Sequence, residues 1–406
     1  MVSADVTRQC CIVGGGPAGM MLGFLLARAG VEVTVLEKHA DFLRDFRGDT
    51  VHPSTLDLMY ELGLLDEFLR VPHQKVERLA VQIGDERFGL VDLTHLPTRC
   101  RFVALMPQWD FLDFLAKQGR RFATFDLQMR AEATDLIVEA ERVVGVRVGT
   151  SAGERVVRAP LVVGCDGRHS TVRAKSGLRS DDLGAPMDVL WFRVARKESD
   201  AAETFGHLDT GAMMVMINRG EYWQCAFVIP KGGIERVKAD GIAAFRERVV
   251  RLSPFLADRI GELDSFEAIH LLTVRVDRLR QWWRPGLLCI GDAAHAMSPI
   301  GGVGINLAVQ DAVAAANQLA RPLREDRLTG ADLQAIQDRR TWPVRMTQRL
   351  QVLMQDRVIG PVLNSSQKPN APALLRLLDA MPVLQRVPAR MLGVGFRPEH
   401  IRTESI

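Results

Sequence analysis

The glycine-rich run Gly14-Gly15-Gly16-Pro17-Ala18-Gly19 limits what this chain can fold into more than any other feature. A short apolar run, Cys10-Cys11-Ile12-Val13, precedes it and reads as a buried parallel strand. An apolar stretch to Ala29, built from good helix formers such as Met20, Leu22 and Leu25, follows it until Gly30 stops the helix. Val31 to Leu36 is a second strand, rich in β-branched residues, and it ends in Glu37. This is a βαβ unit suited to a dinucleotide. Gly14 permits the tight turn, Gly16 lets the backbone approach a pyrophosphate, and Gly19 lets the helix pack closely on the strand. The helix start offers free N–H groups and a positive dipole end to phosphates. Glu37 stands where an acid accepts hydrogen bonds from a ribose.

The unit alone does not separate FAD from NAD(P). A plain dehydrogenase would continue in βα repeats, whereas a polar stretch with Arg44 and Arg47 comes next, then a helical segment from about Ser54 to Leu69. Gln108 precedes another helix. The length of 406 residues exceeds one small core, and 47% hydrophobic with 25% charged residues excludes disordered and fibrous classes. A net charge of +3 argues against nucleic acid as a partner. Arg8 is followed by a short apolar run that ends in glycines, unlike a signal peptide. No uncharged apolar stretch reaches the roughly 18 residues of a spanning helix. The six cysteines have no metal spacing, so no metal site is expected, and they read as reduced, buried thiols of a cytoplasmic protein.

Two further motifs lie far along the chain. Leu161-Val162-Val163-Gly164-Cys165-Asp166-Gly167 is a buried strand ending in glycine and an acid, after short strands between Glu132 and Val157 that suggest an antiparallel meander. Leu287 to Ile290 is another buried strand, which delivers Gly291 and Asp292, then Pro299, Gly301, Gly302, Gly304 and a helix from Leu307 to Leu319. Carboxylates at the carboxyl ends of parallel strands are where ligands sit in doubly wound sheets.

In their order and separations, these motifs resemble those of the group A FAD-dependent monooxygenases, the para-hydroxybenzoate hydroxylase-like fold, with ubiquinone-biosynthesis hydroxylases among its relatives. The resemblance covers about residues 8 to 320. It implies an α/β fold: a Rossmann-like FAD-binding domain (1–76, 98–180 and 280–330), an inserted antiparallel-sheet substrate domain (77–97 and 181–279), and a helical C-terminal tail (331–406). It implies that Gly14, Gly16, Pro17, Ala18 and Gly19 cradle the FAD pyrophosphate and that Glu37 and Lys38 meet the adenosine ribose. Arg47 would reach the pyrophosphate, and Gln108 would lie near the ribityl or phosphate region. Asp166 and Gly167 would serve FAD and NAD(P)H. Gly291 and Asp292 would hold a ribityl hydroxyl, Pro299 would line the reactive face of the ring, and Gly304, Ile305 and Asn306 would meet the flavin N1/O2 edge, where reduced flavin is negative.

The implied activity is hydroxylation of an aromatic or other electron-rich apolar small molecule, with NADH or NADPH as electron donor and molecular oxygen as co-substrate, through a flavin C4a-hydroperoxide. The same fold also serves halogenases, isoprenoid double-bond reductases and flavin-loaded binding proteins. The Trp-x-Trp-x-Ile-Pro signature of the tryptophan-type halogenases is absent.

The substrate sheet is expected over about Pro186 to Val276, with a hairpin turning at Arg219-Gly220. Its period of two sets Tyr222, Gln224, Ala226 and Val228 on one face and Trp223, Cys225 and Phe227 on the other, without saying which face looks at the flavin. Two residues invite a catalytic reading. Tyr222 would orient a phenol or is a half-exposed sheet residue; His52 lines the pocket or merely enters a helix before Pro53. His295 is expected to be packed rather than a base. In the tail, Pro343 is expected to kink or divide a helix from Gly330 to Val358. Residues 321–406 hold fourteen Arg+Lys against eight Asp+Glu. They are read as a solvated cap on the FAD domain, with a peripheral membrane contact or a homodimer contact as the other two readings.

Overall fold

The computed structural model describes residues 6–43, 50–84, 86–200, 204–365 and 371–406. Its centre is a six-stranded sheet in the spatial order Trp283–Arg284, Leu287–Cys289, Leu161–Gly164, Cys10–Val13, Val33–Glu37 and Phe125–Met129. The last five strands run parallel, and Trp283–Arg284 is antiparallel to its neighbour. Strands that read as unbroken apolar runs are covered on both sides, as parallel sheets require: every residue of Cys10–Val13, Leu161–Gly164 and Leu287–Cys289 is buried. Helix Pro17–Arg28 packs against Gly304–Arg324 and Gln108–Gly119. It is apolar nearly all round because it is enclosed between the sheet and these helices.

The meander appears as expected. Glu132–Glu139, Arg142–Thr150 and Gly153–Arg158 pair antiparallel, with Val6–Thr7 added in parallel.

A second sheet of seven strands has the order His270–Leu272, Met187–Ala195, Tyr222–Pro230, Ala212–Asn218, Phe205–Asp209, Arg78–Ile83 and Glu86–Asp92. The hairpin turn falls at Arg219-Gly220, with Gly220 at φ 86°, a conformation glycine adopts without steric cost. One face carries Leu190, Phe192, Trp223, Cys225 and Phe227, covered by helix Ile234–Leu252 through Phe245 and Val249. Phe192 and Phe245 meet edge to face at 5.5 Å. The opposite face carries Val189, Trp191, Met213, Val215, Ala226 and Val228, and Ile300 of the third motif packs on it. The structure therefore turns the Tyr222–Gln224–Ala226–Val228 face toward the glycine-rich loop.

The C-terminal region differs from its expected form in two ways. Helix Gly330–Met354 runs through Pro343 without dividing, and its regular turn is lost only at Gln355–Ile359, a π-helical turn. A proline removes one backbone donor. Here Leu333, Ile336 and Val344 are buried along the helix, and that burial outweighs the loss. Nor is the tail only a cap on the parallel sheet. Ile359 and Leu363 pack on the seven-stranded sheet, Ala389 and Leu392 join Val91 and Leu93, and Asp379 accepts from the Gly89 N–H at 2.8 Å. The Ile406 N–H returns to the Arg28 carbonyl. The segment straps the two sheets together. Among the described residues no helix is long and apolar enough to cross a membrane.

Candidate functional site

Because the central strands are parallel and adjacent, the ends of four of them reach one edge. They deliver Gly291–Asp292, Cys165–Asp166, Gly14 and Glu37 side by side. Gly14 has φ 106°, and a Cβ there would meet the Cys165 carbonyl oxygen at 2.4 Å. A Cβ on Gly19 would stand 1.9 Å from the Gly14 carbonyl oxygen, so only glycine lets helix and turn approach this closely. At Gly16 the nearest atom to a Cβ is 3.9 Å away, which leaves its outer side open. Pro17 opens the helix and Ala18 is buried behind it. Glu37 is buried; its carboxylate accepts from the Gly15 N–H and the His39 N–H, each at 3.0 Å. Lys38 beside it is exposed. Gln108 is the first residue of its helix and half-buried. Arg47 lies outside the described residues.

Asp166 supports its own loop. Its carboxylate accepts from Ser170 Oγ at 2.5 Å and from the Val172 N–H at 3.1 Å, and burial pushes its pKa up. Gly167, at φ 80°, has open space beside it. Asp292 is half-buried, with Arg168 Nη2 at 3.4 Å from Oδ2. A Cβ on Gly291 would touch Ala18 at 3.2 Å and Ala308 at 3.4 Å, so the first and third motifs pack directly on each other.

Behind Gly291 lies a buried charge network that the sequence reading did not anticipate. The Gly291 N–H donates to Asp311 Oδ2 at 3.0 Å, His295 Nε2 lies 2.5 Å from the same oxygen, and Arg340 Nε donates to Asp311 Oδ1 at 2.8 Å. Arg340 and Arg339 both reach Glu399 of the tail. Burial opposes ionisation of Asp311, but His295 and Arg340 outweigh it and hold its pKa below the usual carboxylate range. His295 is thus a packed partner of Asp311, its ring tilted against that of Trp282 at 4.9 Å, as its sequence position suggested.

The loop from Pro299 to Gly304 turns through Gly301 and Gly302, both at positive φ, and opens helix Gly304–Arg324. A Cβ on Gly304 would meet nothing within 4 Å, so this helix start is an open cradle. Ile305 is buried behind it. Asn306 is buried and receives Ser54 Oγ and Thr55 Oγ1 on its Oδ1, at 3.1 and 2.5 Å. Thr50 Oγ1 donates to the Gly302 carbonyl at 2.6 Å. His52 is fully buried, with Nδ1 2.8 Å from the Leu392 carbonyl and Nε2 3.2 Å from the Gly302 carbonyl. Burial lowers its pKa despite both carbonyls. It ties the glycine-rich loop to the tail rather than presenting a free base. Spacing alone hid this role, since Leu392 is remote in sequence.

Facing the loop, the seven-stranded sheet offers an apolar wall of Val189, Trp191, Val215 and Ala226. Tyr222 lies on the same face, half-buried, with the Arg193 guanidinium 4.9 Å from its ring centre. Ala226 and Val228 lie between it and the end where Ile359 and Leu363 cover the sheet.

The residues fit an FAD. The open side of Gly16, the bare helix start at Gly304 and the half-exposed Asp292 carboxylate lie along one edge, with donors for phosphates and an acceptor for hydroxyls. Comparison with known proteins agrees. Residues 7–349 match the model of the FAD binding domain family. The chain is 32% identical over 382 residues to 6-methylpretetramide 4-monooxygenase of Streptomyces rimosus, covering 93% of this chain and 91% of that protein. It is 31% identical over 312 residues to a rifampicin monooxygenase of Streptomyces venezuelae, covering 74% of this chain and 61% of the relative. Among solved structures, p-nitrophenol 4-monooxygenase of Pseudomonas putida superposes with a TM-score of 0.77 at 20% identity, covering 96% of this chain and 99% of that one.

Proposed function

This chain belongs to the FAD binding domain family and is an FAD-dependent monooxygenase, and from that premise we propose that it hydroxylates an aromatic or other electron-rich apolar molecule with NADH or NADPH as electron donor. The observation that carries the reading is the packing of Ile300, from the glycine-rich loop, against the buried cluster to which Val189, Ala226 and Val228 of the sheet belong. A flavin held along the strand ends would meet an apolar chamber rather than bulk water. The first substrate to try is 6-methylpretetramide, on which the 32% identical relative is named to act.

In this reading the segments 1–76, 98–180 and 280–330 hold the cofactor, while 77–97 and 181–279 cover the substrate. Bound FAD supplies the redox chemistry between nicotinamide, oxygen and substrate. The protein's own work is positional. Backbone N–H groups around Gly16 and Ala18 would bind the phosphates. Asp292 accepts a ribityl hydroxyl. The N–H groups at Gly304, Ile305 and Asn306 would meet the pyrimidine edge and favour negative charge there. The Val189–Val215–Ala226 wall excludes water from the reacting face.

The experiment is NADH and NADPH oxidation by the FAD-loaded protein against a panel of 6-methylpretetramide, resorcinol and p-nitrophenol, with products read by mass spectrometry. The expected product is one oxygen atom heavier than its substrate. Nicotinamide oxidation that no panel member accelerates, with no oxygenated product, would sink the reading.

A further inference from the structure

Trp191 stands at the middle of the apolar wall. It lies on strand Met187–Ala195, opposite Ala226, which carries only a methyl group. Its ring packs into two clusters at once, one containing Leu105, Ile217 and Ala389, the other containing Val189, Ala226 and Val228. Its indole Nε1 is buried and has no hydrogen-bond partner among the described residues. The side chains of both clusters are hydrophobic, and the thioether sulfurs of Met187 and Met213 are their only hydrogen-bond acceptors, and weak ones. Buried indole N–H groups nearly always find an acceptor, so an orphan on the sheet face turned toward the glycine-rich loop marks a place where a ligand supplies one.

We propose that the Trp191 Nε1–H donates a hydrogen bond to a phenolic or carbonyl oxygen of the substrate and so orients its ring in the chamber. The proposal rests on the reading of this site as an aromatic hydroxylase. An indole is a donor only, so it selects an oxygen acceptor and gives nothing to a bare hydrocarbon. Beside the apolar wall of Val189, Val215 and Ala226 a directional donor also fixes which edge of the substrate is presented, and orientation of that kind governs which carbon reacts. Tyr222 and His52 are not required for this role. Tyr222 is displaced along the sheet toward Arg193, and both nitrogens of His52 face backbone carbonyls.

The test titrates the FAD-loaded protein with 1-naphthol and with naphthalene, following flavin fluorescence. One variant carries 3-benzothienylalanine at position 191, which sets sulfur in place of the N–H and keeps the ring shape. Trp191→Phe is the second variant, and FAD content and melting temperature are measured for both. The expected result is tighter binding of 1-naphthol than of naphthalene by the unmodified protein, with the 1-naphthol affinity falling about tenfold in the variants and naphthalene unchanged. Equal weakening of both probes, or none for 1-naphthol, overturns the proposal and leaves the aromatic-substrate reading standing. Loss of FAD affinity in place of probe affinity also overturns it, because the N–H would then serve the cofactor. If neither probe perturbs the flavin of the unmodified protein, the aromatic-substrate reading falls, and the proposal with it.

Discussion

Arg168 Nη2 lies 3.4 Å from Asp292 Oδ2, so the second and third motifs meet through an ion pair at the point where a ribityl chain would pass. Both side chains are partly exposed, and a pair of that kind is worth about 0–1 kcal/mol. A ribityl hydroxyl can therefore take the carboxylate at little cost. Asp292→Ala is expected to lower FAD retention by about tenfold, the loss of one charge-assisted hydrogen bond. Arg168→Ala is expected to stay within a few-fold of the unmodified protein, following the small worth of the pair. Flavin absorbance per polypeptide after gel filtration measures both, and equal flavin content in Asp292→Ala and the parent removes Asp292 from the cofactor site.

The glycines of the first motif separate folding from binding. Gly19→Ala places a Cβ 1.9 Å from the Gly14 carbonyl oxygen, a backbone clash that the helix relieves only by moving off the strand. Gly16→Ala meets nothing closer than 3.9 Å and intrudes only on the open side, where a phosphate would lie. We expect Gly19→Ala to lose both melting temperature and FAD, and Gly16→Ala to keep the apoprotein's melting temperature while losing FAD. Thermal melts of the apoproteins with FAD titrations decide it, and a destabilised Gly16→Ala apoprotein would count against the assignment.

What could be read in the sequence was local. Cys10–Val13, Leu161–Val163 and Leu287–Cys289 are apolar without alternation, so their burial on both faces was legible, as were the acids and glycines at their ends. The hairpin at Arg219-Gly220 was legible from its turn residues. The cover of each sheet face was not, because period two divides Trp191 from Phe192 without saying which one meets a helix. Helix Ile234–Leu252 took the Phe192 face, and the glycine-rich loop and tail took the other. His52 and Asp311 escaped for a related reason. Their partners Leu392 and Arg340 come from the C-terminal segment, and no short-range pattern announces a contact across that separation.

His52 gives the fold a pH dependence of known sign. Its pKa is lowered in the folded protein, while the unfolded chain titrates near the ordinary value of about 6.5. The unfolded state then binds more protons between those values. Stability is full above about 6.5 and is lost as pH falls toward the lowered folded pKa, by about 1.4 kcal/mol for each unit of depression. His52→Gln still donates to one carbonyl but does not titrate there. Chemical denaturation between pH 7.5 and pH 5 (roughly the range of histidine titration) should show a steeper loss in the parent than in the variant. Parallel curves would mean that His52 does not carry the dependence.

The Asp311 network tests whether the tail holds the third motif in place. Asp311 binds the Gly291 N–H and His295 on one oxygen and Arg340 on the other, and Arg340 continues to Glu399. Asp311→Asn removes the charge and leaves Arg340 buried with one anionic partner fewer. Breaking a buried pair from one side costs about 3–5 kcal/mol, whereas replacing both members is far milder. Asp311→Asn should lower the denaturation midpoint strongly and weaken FAD binding, because an amide has one acceptor oxygen where the carboxylate has two and cannot serve Arg340 and the Gly291 N–H together. The double variant Asp311→Asn with Arg340→Met should recover part of the stability. It should also recover part of the FAD affinity, since without Arg340 the amide oxygen is free to accept from the Gly291 N–H. Additive losses in the double variant, read from urea denaturation of all three proteins, would show that the two residues act independently and that the tail does not brace the site through them.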